Sequence, residues 1–360
     1  MVRLPRIEKF LKKMEDYVDV SLISPSSNFF YFTGVQISST MERPVFLIIG
    51  NNSEPTIIAP RMYLEELLNV GTKIVTWEDS ENPFSKLSTI IADNNPKKIG
   101  IESQIPFSIY AQIRKSLKRV RLRIIDNLLS EMRITKDSEE ISYLKRAGEI
   151  VDRTFYKLMD EKLEGMSEKE VSLLIKEFME RYEGDGISFE PIVASGPNSS
   201  HPHHTSGKRR IEKGDVVVLD YGAQYNHYCS DITRTVGIGN VDPQMKSTYE
   251  IVKKAHDAGV ESIREGIKAE EIDRIARSII REKGFGGSFI HRTGHGIGLD
   301  VHEEPYIVQG NNLRLKDGMV FTVEPGIYLE GKYGIRVEDD VFLHGGPRTL
   351  TNASTNLFIL

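Results

Sequence analysis

Along the first 130 residues, short apolar runs alternate with amphipathic stretches. NFFYFTGV, PVFLIIG, PTIIAP, KKIGIE and VRLRIID each have the length and composition of a strand, and what separates them has helical periodicity. The alternation predicts an α/β domain over residues 1–130, with no glycine-rich phosphate loop. A charged connector, EMRITKDSEEI, follows. Asp137 and Glu140 in it have capping-box spacing, which predicts a long helix starting near Ser138 and a second domain over residues 131–360.

The second domain repeats itself. EGMSEKEV at Glu164 recurs as EGIKAEEI at Glu265, and RYEGDGISF at Arg181 recurs as REKGFGGSF at Arg281. GDVVVLDYG at Gly214 recurs as GMVFTVEPG at Gly318. Two half-domains of about 100 residues, each two helices followed by a hairpin, are expected to pack about a pseudo-twofold axis as an α+β unit.

The hydrophobic pattern breaks in a telling place. Val216, Val217, Val218 and Leu219 read as a strand buried on both faces, yet the run ends on Asp220, and Asp231 lies inside the returning strand. A turn centred on Gln224 to Asn226 would set these carboxylates close to opposite each other. The repeat superimposes Asp220 on Glu324, and Glu324 and Glu338 recreate the pair across the longer connection PGIYLEGKYG. Four carboxylates facing the centre of two hairpins would repel strongly unless cations neutralised them. With His295, from HRTGHGIGLDVHEEP, the donors are four carboxylates and one imidazole. That set suits two divalent ions such as Mn, Co, Fe or Zn.

Composition narrows the function classes. The chain has 360 residues, enough for two domains with real cores, and 47 Lys plus Arg stand against 52 Asp plus Glu, a formal net charge of -5. Such a balance provides no broad basic surface for nucleic acid or for an anionic membrane. No apolar tract reaches 18 residues, the N-terminal stretch is charged and amphipathic, and Cys229 is the single cysteine. A cytoplasmic location is expected. Cys229 is read as a small packing residue.

With these residues in view, the chain resembles the pita-bread (creatinase/aminopeptidase P-like) metallopeptidases, and within them the Xaa-Pro dipeptidases, or prolidases, and Xaa-Pro aminopeptidases. LDYGAQYNHYCSDITRT, HRTGHGIGLDVHE, TVEPGIY and GIRVEDD resemble the family's metal-site segments, and FFYFTGV resembles a recurrent strand segment of its N-terminal domain. The resemblance implies that Asp220 and Asp231 hold one metal and that Asp231 bridges to a second. His295 and Glu324 complete the second, and Glu338 bridges both. SGPNSSHPHH is similar to the family's SGPNxxxPH, which assigns the catalytic histidine to His203, leaving His201 and His204 unclaimed. Glu324 would also carry protons, His302 would assist as charge develops, and His291, Arg336 and Tyr328 would bind substrate. A homodimer acting on small proline-containing peptides is implied.

The favoured function is dinuclear metal-dependent hydrolysis of Xaa-Pro dipeptides. Its nearest rival is an Xaa-Pro aminopeptidase acting on longer peptides, and a rival of another class is a non-catalytic peptide-binding module on the same fold. Prolidases resemble one another in carrying an Arg between the second flanking His and the Glu ligand. Here that stretch, HEEPYIVQGNNLRL, offers only Arg314, so Arg336 and Arg314 are the candidates for holding the proline carboxylate.

Overall fold

The computed structural model describes residues 4–37, 42–51 and 53–360. It divides into two compact units, Met1–Arg133 and Ile134–Leu360.

The first unit is a six-stranded mixed sheet flanked by helices. Its strand order is Lys73–Trp77, Thr56–Pro60, Phe46–Gly50, Val20–Ile23, Lys98–Ile101 and Arg121–Ile124. NFFYFTGV does not form the expected strand. It makes most of the helix Ser27–Thr33, in which Phe29, Phe30, Tyr31 and Phe32 are all buried. A run apolar on every side has no period to read, so its ends decide. The Ser26 hydroxyl accepts from the Asn28 and Phe29 N–H groups, and Gly34 closes the helix at φ 71°.

In the second unit the connector forms a full capping box. The Asp137 carboxylate accepts from Glu139 and Glu140 N–H, the Glu140 side chain accepts from Asp137 N–H, and the helix Ser138–Met159 follows. The internal repeat is then legible in detail. Helices Glu168–Arg181 and Ala269–Glu282 correspond, as do strands Val216–Tyr221 and Val320–Val323, and strands Ile232–Gly237 and Asp339–Leu343. Isolated bridges repeat too, Ser167 with Arg210 and Lys268 with Arg314. Arg210 donates to the Gly165 carbonyl at 2.6 Å, and Arg314 donates to the Gly266 carbonyl at 2.8 Å. Each half has its own core, with Phe155, Ile175 and Leu219 in the first and Ile272, Phe321 and Val341 in the second.

The hairpin registers differ between halves. In the second, Val323 pairs with Asp339, so Glu324 and Glu338 are the next pair in register, as expected. In the first, Asp220 pairs with Thr233 and Tyr221 with Ile232, so Asp231 lies level with Gly222 rather than opposite Asp220. The tight turn is at Asn226 and His227, with φ 47° and 67°, slightly beyond the expected centre. A two-residue turn with both residues left-handed matches strand twist, and this selects the register. An offset of two keeps both carboxylates on one face.

The two hairpins meet edge to edge. Thr233 bridges Glu338, the Glu338 N–H donates to the Thr233 carbonyl at 3.1 Å, and the Arg336 N–H donates to the Thr235 hydroxyl at 3.1 Å. Arg234, 1 % exposed, locks this seam. Its guanidinium donates to the carbonyls of Thr233, Glu338, Ala353 and Ser354 and to the Asp339 carboxylate, the last at 2.6 Å. Arg234→Leu is therefore expected to cost about 3–5 kcal/mol, because it strands Asp339 and several buried carbonyls. Chemical denaturation of the variant checks this, and a loss below about 1 kcal/mol contradicts the assigned role.

Candidate metal centre

All five residues of the expected set converge where the hairpins cross. Asp220 and Asp231 come from the first hairpin, and Glu324 and Glu338 from the second. His295 comes from the short strand Gly294–Gly296, which pairs with Val320–Val323 through Gly296 and Phe321. The glycines flanking His295 are sterically required. A Cβ on Gly294 would lie 1.9 Å from the Thr322 carbonyl oxygen, and one on Gly296 would lie 2.2 Å from the Glu304 carbonyl oxygen. Only bare backbone lets the imidazole come so close to the neighbouring strands.

Ligating atoms of Asp231, His295 and Glu338 lie within 4.8 Å of one another. His295 Nε2 is 3.7 Å from Asp231 Oδ2 and 3.5 Å from Glu324 Oε1. Its Nδ1 lies 3.1 Å from the Gly296 carbonyl, the contact of an N–H donor, which assigns the lone pair to Nε2 facing the carboxylates. The Thr233 hydroxyl donates to Glu338 Oε2 at 2.5 Å, and Thr322 donates to Glu324 Oε1 at 3.5 Å. Arg336 makes a buried ion pair with Asp220. Within the five, two carboxylate oxygens, Asp220 Oδ1 and Asp231 Oδ1, are buried without a hydrogen-bond partner, as is Oδ1 of the neighbouring Asp340.

The electrostatics report a missing positive charge. Burial, then the facing charges of Glu338 and Asp220, raises the Asp231 carboxyl well above its ordinary range, and burial with Glu324 and Asp220 does the same to Glu338. Burial raises Asp220 despite Arg336, and holds Glu324 at about 7. Burial drives His295 far down, helped by His302, so the imidazole is neutral. Orphaned oxygens, carboxyls that would take protons and a neutral imidazole with a free lone pair together fit divalent cations.

Of the remaining expected residues, His203, His291, His302 and Arg336 line one cleft of about 1080 Å³ with the five, while Tyr328 is buried outside its lining. Within HPHH the three histidines have separate fates. His201 is exposed and lies outside the cleft lining, His204 Nε2 is held at 2.8 Å by Glu168, and His203 lines the cleft with an exposed side chain. His302 sits edge-on to His295, ring centroids 4.2 Å apart. Arg336, Tyr328 and His291 form a chain: Arg336 Nη1 donates to the Tyr328 oxygen at 2.8 Å, and Tyr328 lies 3.0 Å from His291 Nε2. His291 Nδ1 contacts the Arg292 carbonyl at 2.7 Å. Both ring nitrogens are thereby engaged, and burial with Arg336 nearby keeps His291 neutral, its pKa lowered to about 3. Arg314 is exposed and does not line the cleft.

Residues 142–344 match the metallopeptidase family M24, and residues 6–135 match the Creatinase/Prolidase N-terminal domain. The chain belongs to metallopeptidase family M24. It is 36 % identical to an Xaa-Pro dipeptidase of Pyrococcus furiosus over 98 % of this chain and 99 % of that protein. Among solved structures it resembles a prolidase of Thermococcus sibiricus at 46 % identity and TM-score 0.96, covering 100 % of both chains. An X-Pro aminopeptidase of Thermotoga maritima matches at 34 % identity and TM-score 0.87, over 99 % of this chain and 100 % of that one. The family membership makes the chain a metallopeptidase, with a creatinase-type N-terminal domain and a pita-bread second domain.

Several supporting residues escaped the reading of the sequence. Asp340 Oδ2 accepts the Asp231 N–H at 2.9 Å and so fixes the backbone at Asp231, and only its place in VEDD hinted at a role. Glu168 ties Ser195, Asn198, His204 and Gly207 into one loop beneath His203, and a helix-start glutamate carries no signal for that. Cys229 is buried, its thiol pushed up to about 12 by that burial, and packs as expected.

A pH dependence follows. Carboxyls raised in the folded state contribute stability that is complete below their unfolded values and lost as pH rises through the folded ones, about 7 for Glu324, with Asp231 and Glu338 raised in the same sense. His291 and His295, lowered by folding, act in the opposite sense, but only until unfolded histidine is itself neutral, above its ordinary 6.5. Chelator-treated protein is expected to melt at progressively lower temperature as pH rises through about 7, and divalent metal is expected to remove that slope. A flat or rising melting temperature in the metal-free protein contradicts this account.

Proposed function

We propose that the protein is a dinuclear metal-dependent Xaa-Pro dipeptidase. The observation that carries this is the convergence of Asp220, Asp231, His295, Glu324 and Glu338 in a cleft, with two buried carboxylate oxygens left unpaired. Asp220 and Asp231 would hold one ion and His295 and Glu324 the other, with Asp231 and Glu338 shared. Two divalent ions of the Mn, Co, Fe or Zn class would supply an activated water and Lewis-acid polarisation of the scissile carbonyl.

The chain's own groups do the rest. Glu324, its side chain 13 % exposed, takes a proton and passes it toward the leaving proline nitrogen. His203, free of the Glu168 contact that restrains His204, and His302 donate hydrogen bonds as negative charge develops on the carbonyl oxygen. The Arg336–Tyr328–His291 chain holds the cleft wall and the Asp220 carboxylate in place. Proline has no N–H and a fixed ring, so strand-like substrate binding loses a hydrogen bond there. Phe189, Pro191, Ile192 and Val301 provide apolar surface in its place. Cytoplasmic location and homodimeric assembly belong to the same proposal.

The relatives named Xaa-Pro dipeptidase and prolidase support dipeptides as substrate, while the X-Pro aminopeptidase neighbour keeps longer peptides as the second reading. An Xaa-Pro dipeptide is expected to show at least about tenfold higher kcat/KM than the same sequence extended by two residues. Equal or faster cleavage of the extended peptide would make the enzyme an aminopeptidase. Asp231→Asn keeps volume and removes charge, and is expected to abolish turnover while leaving the circular dichroism spectrum unchanged. Two bound metals with wild-type turnover in that variant would remove Asp231 from the ligand set. Inactivity of metal-loaded wild-type protein on every Xaa-Pro peptide would favour the non-catalytic binding module.

A further inference from the structure

Four Lys or Arg side chains line the cleft; two are committed to partners and a third is an exposed lysine. Arg336 spends its guanidinium on Asp220, the Tyr328 hydroxyl, the Thr233 hydroxyl and the Pro202 carbonyl, and is 4 % exposed. Lys176 is ion-paired with Glu190, and Lys169 is exposed. Arg314, the other arginine singled out in the sequence, donates to the Gly266 carbonyl outside the cleft, as its repeat mate Arg210 does to Gly165. Neither of the two arginines expected to hold a substrate carboxylate is available for it.

The fourth is Arg292, three residues before the ligand His295. It is half-buried, and its guanidinium carbon stands 4.7 Å from the Tyr306 ring centroid. Stacking on an aromatic face holds a guanidinium plane while leaving its N–H edge open. Among the described residues no carboxylate or carbonyl accepts from that side chain. Its charge is felt at His295, His302 and Glu324, which places it beside the reacting groups. A half-buried cation without a counter-ion, fixed on an aromatic ring in a cleft, is poised for an anion that arrives with the ligand.

We propose that Arg292, braced by Tyr306, is the residue that binds a carboxylate of the substrate. Every Xaa-Pro dipeptide brings one such group at its C-terminus, and an acidic first residue brings a second. The proposal rests on the peptidase function above and adds the specificity determinant to it.

The test compares wild type, R292M and R292K on two matched pairs, Ala-Pro against Ala-Pro amide and Glu-Pro against Gln-Pro, with metal content measured for each protein. R292M is expected to lose about tenfold or more in kcat/KM on the carboxylate member of one pair and less than about twofold on its neutral partner, with unchanged metal content. Selective loss in the first pair assigns the C-terminal carboxylate, and selective loss in the second assigns the side chain of the first residue. R292K, which keeps a point charge without the planar fork, is expected to recover part of the selectivity. Equal losses on charged and neutral members of both pairs would overturn the proposal, since a packing role over Tyr306 does not read charge. Calorimetric binding of the same four dipeptides supplies the readout where turnover is absent. Failure of the dipeptidase function shows separately, as wild-type preference for extended peptides, because Arg292 is judged only on variant-to-wild-type ratios within a pair.

Discussion

Four carboxylates share the point where the two hairpins cross, and the rest of the second domain is arranged so that they can stay there. Placing like charges together in a buried site costs several kcal/mol per group unless cations or donors answer them. The protein answers only part of that charge. Arg336 pairs with Asp220 and Thr233 donates to Glu338, whereas Asp340, which accepts the Asp231 N–H, adds a further negative charge beside the cluster. Asp220 Oδ1 and Asp231 Oδ1 are buried without a hydrogen-bond partner. A fully compensated cluster would be more stable and would bind no ion, so the partial compensation is what suits this cluster to divalent cations.

Buried arginines divide the structural and chemical tasks along the seam between half-domains. Arg234 fastens backbone to backbone and neutralises Asp339, which His256 Nε2 also faces at 3.1 Å, behind the ligand layer. Two residues along the adjoining strand, Arg336 faces the cleft and fixes the Asp220 carboxylate and the Tyr328 hydroxyl. Both depend on Thr233, whose carbonyl accepts from Arg234 and whose hydroxyl accepts from Arg336 while donating to Glu338. A single threonine thus couples the packing of the seam to the orientation of a ligand.

What the sequence disclosed follows from which constraints are local. The capping box at Asp137 and the buried strand Val216–Tyr221 were readable because a few adjacent residues determine them. That the four carboxylates would come together was readable because duplication placed each of them twice in the same context, and they line one cleft with His295. NFFYFTGV was misassigned because an all-apolar segment leaves strand and helix equally supplied, and the deciding contacts are the Ser26 cap and Gly34. The register of Asp220 was misjudged because the left-handed pair Asn226 and His227 moved the turn. Arg314 illustrates the general limit. Its chain position put it between two site histidines and a ligand, yet the fold spends it on a carbonyl more than forty residues away, visible only once the repeat is superimposed on coordinates.

The duplication also explains how one fold obtains an asymmetric centre from two similar halves. The second half sets Glu324 and Glu338 in direct register, and glutamates are long enough to reach inward from that position. The first half offsets Asp231 by two residues, so shorter side chains converge from a displaced register. Side-chain length and hairpin register compensate each other, and five donors meet although neither hairpin copies the other. Divergence elsewhere then costs little. Arg210 and Arg314 kept the same bond to a glycine carbonyl, while the imidazole of His295 was added in one half alone, on a strand that two glycines allow to approach. The pseudo-symmetric part of the domain fixes the positions of the four carboxylates, and the segments that depart from symmetry, HPHH and HRTGHG, contribute histidines to the cleft around them.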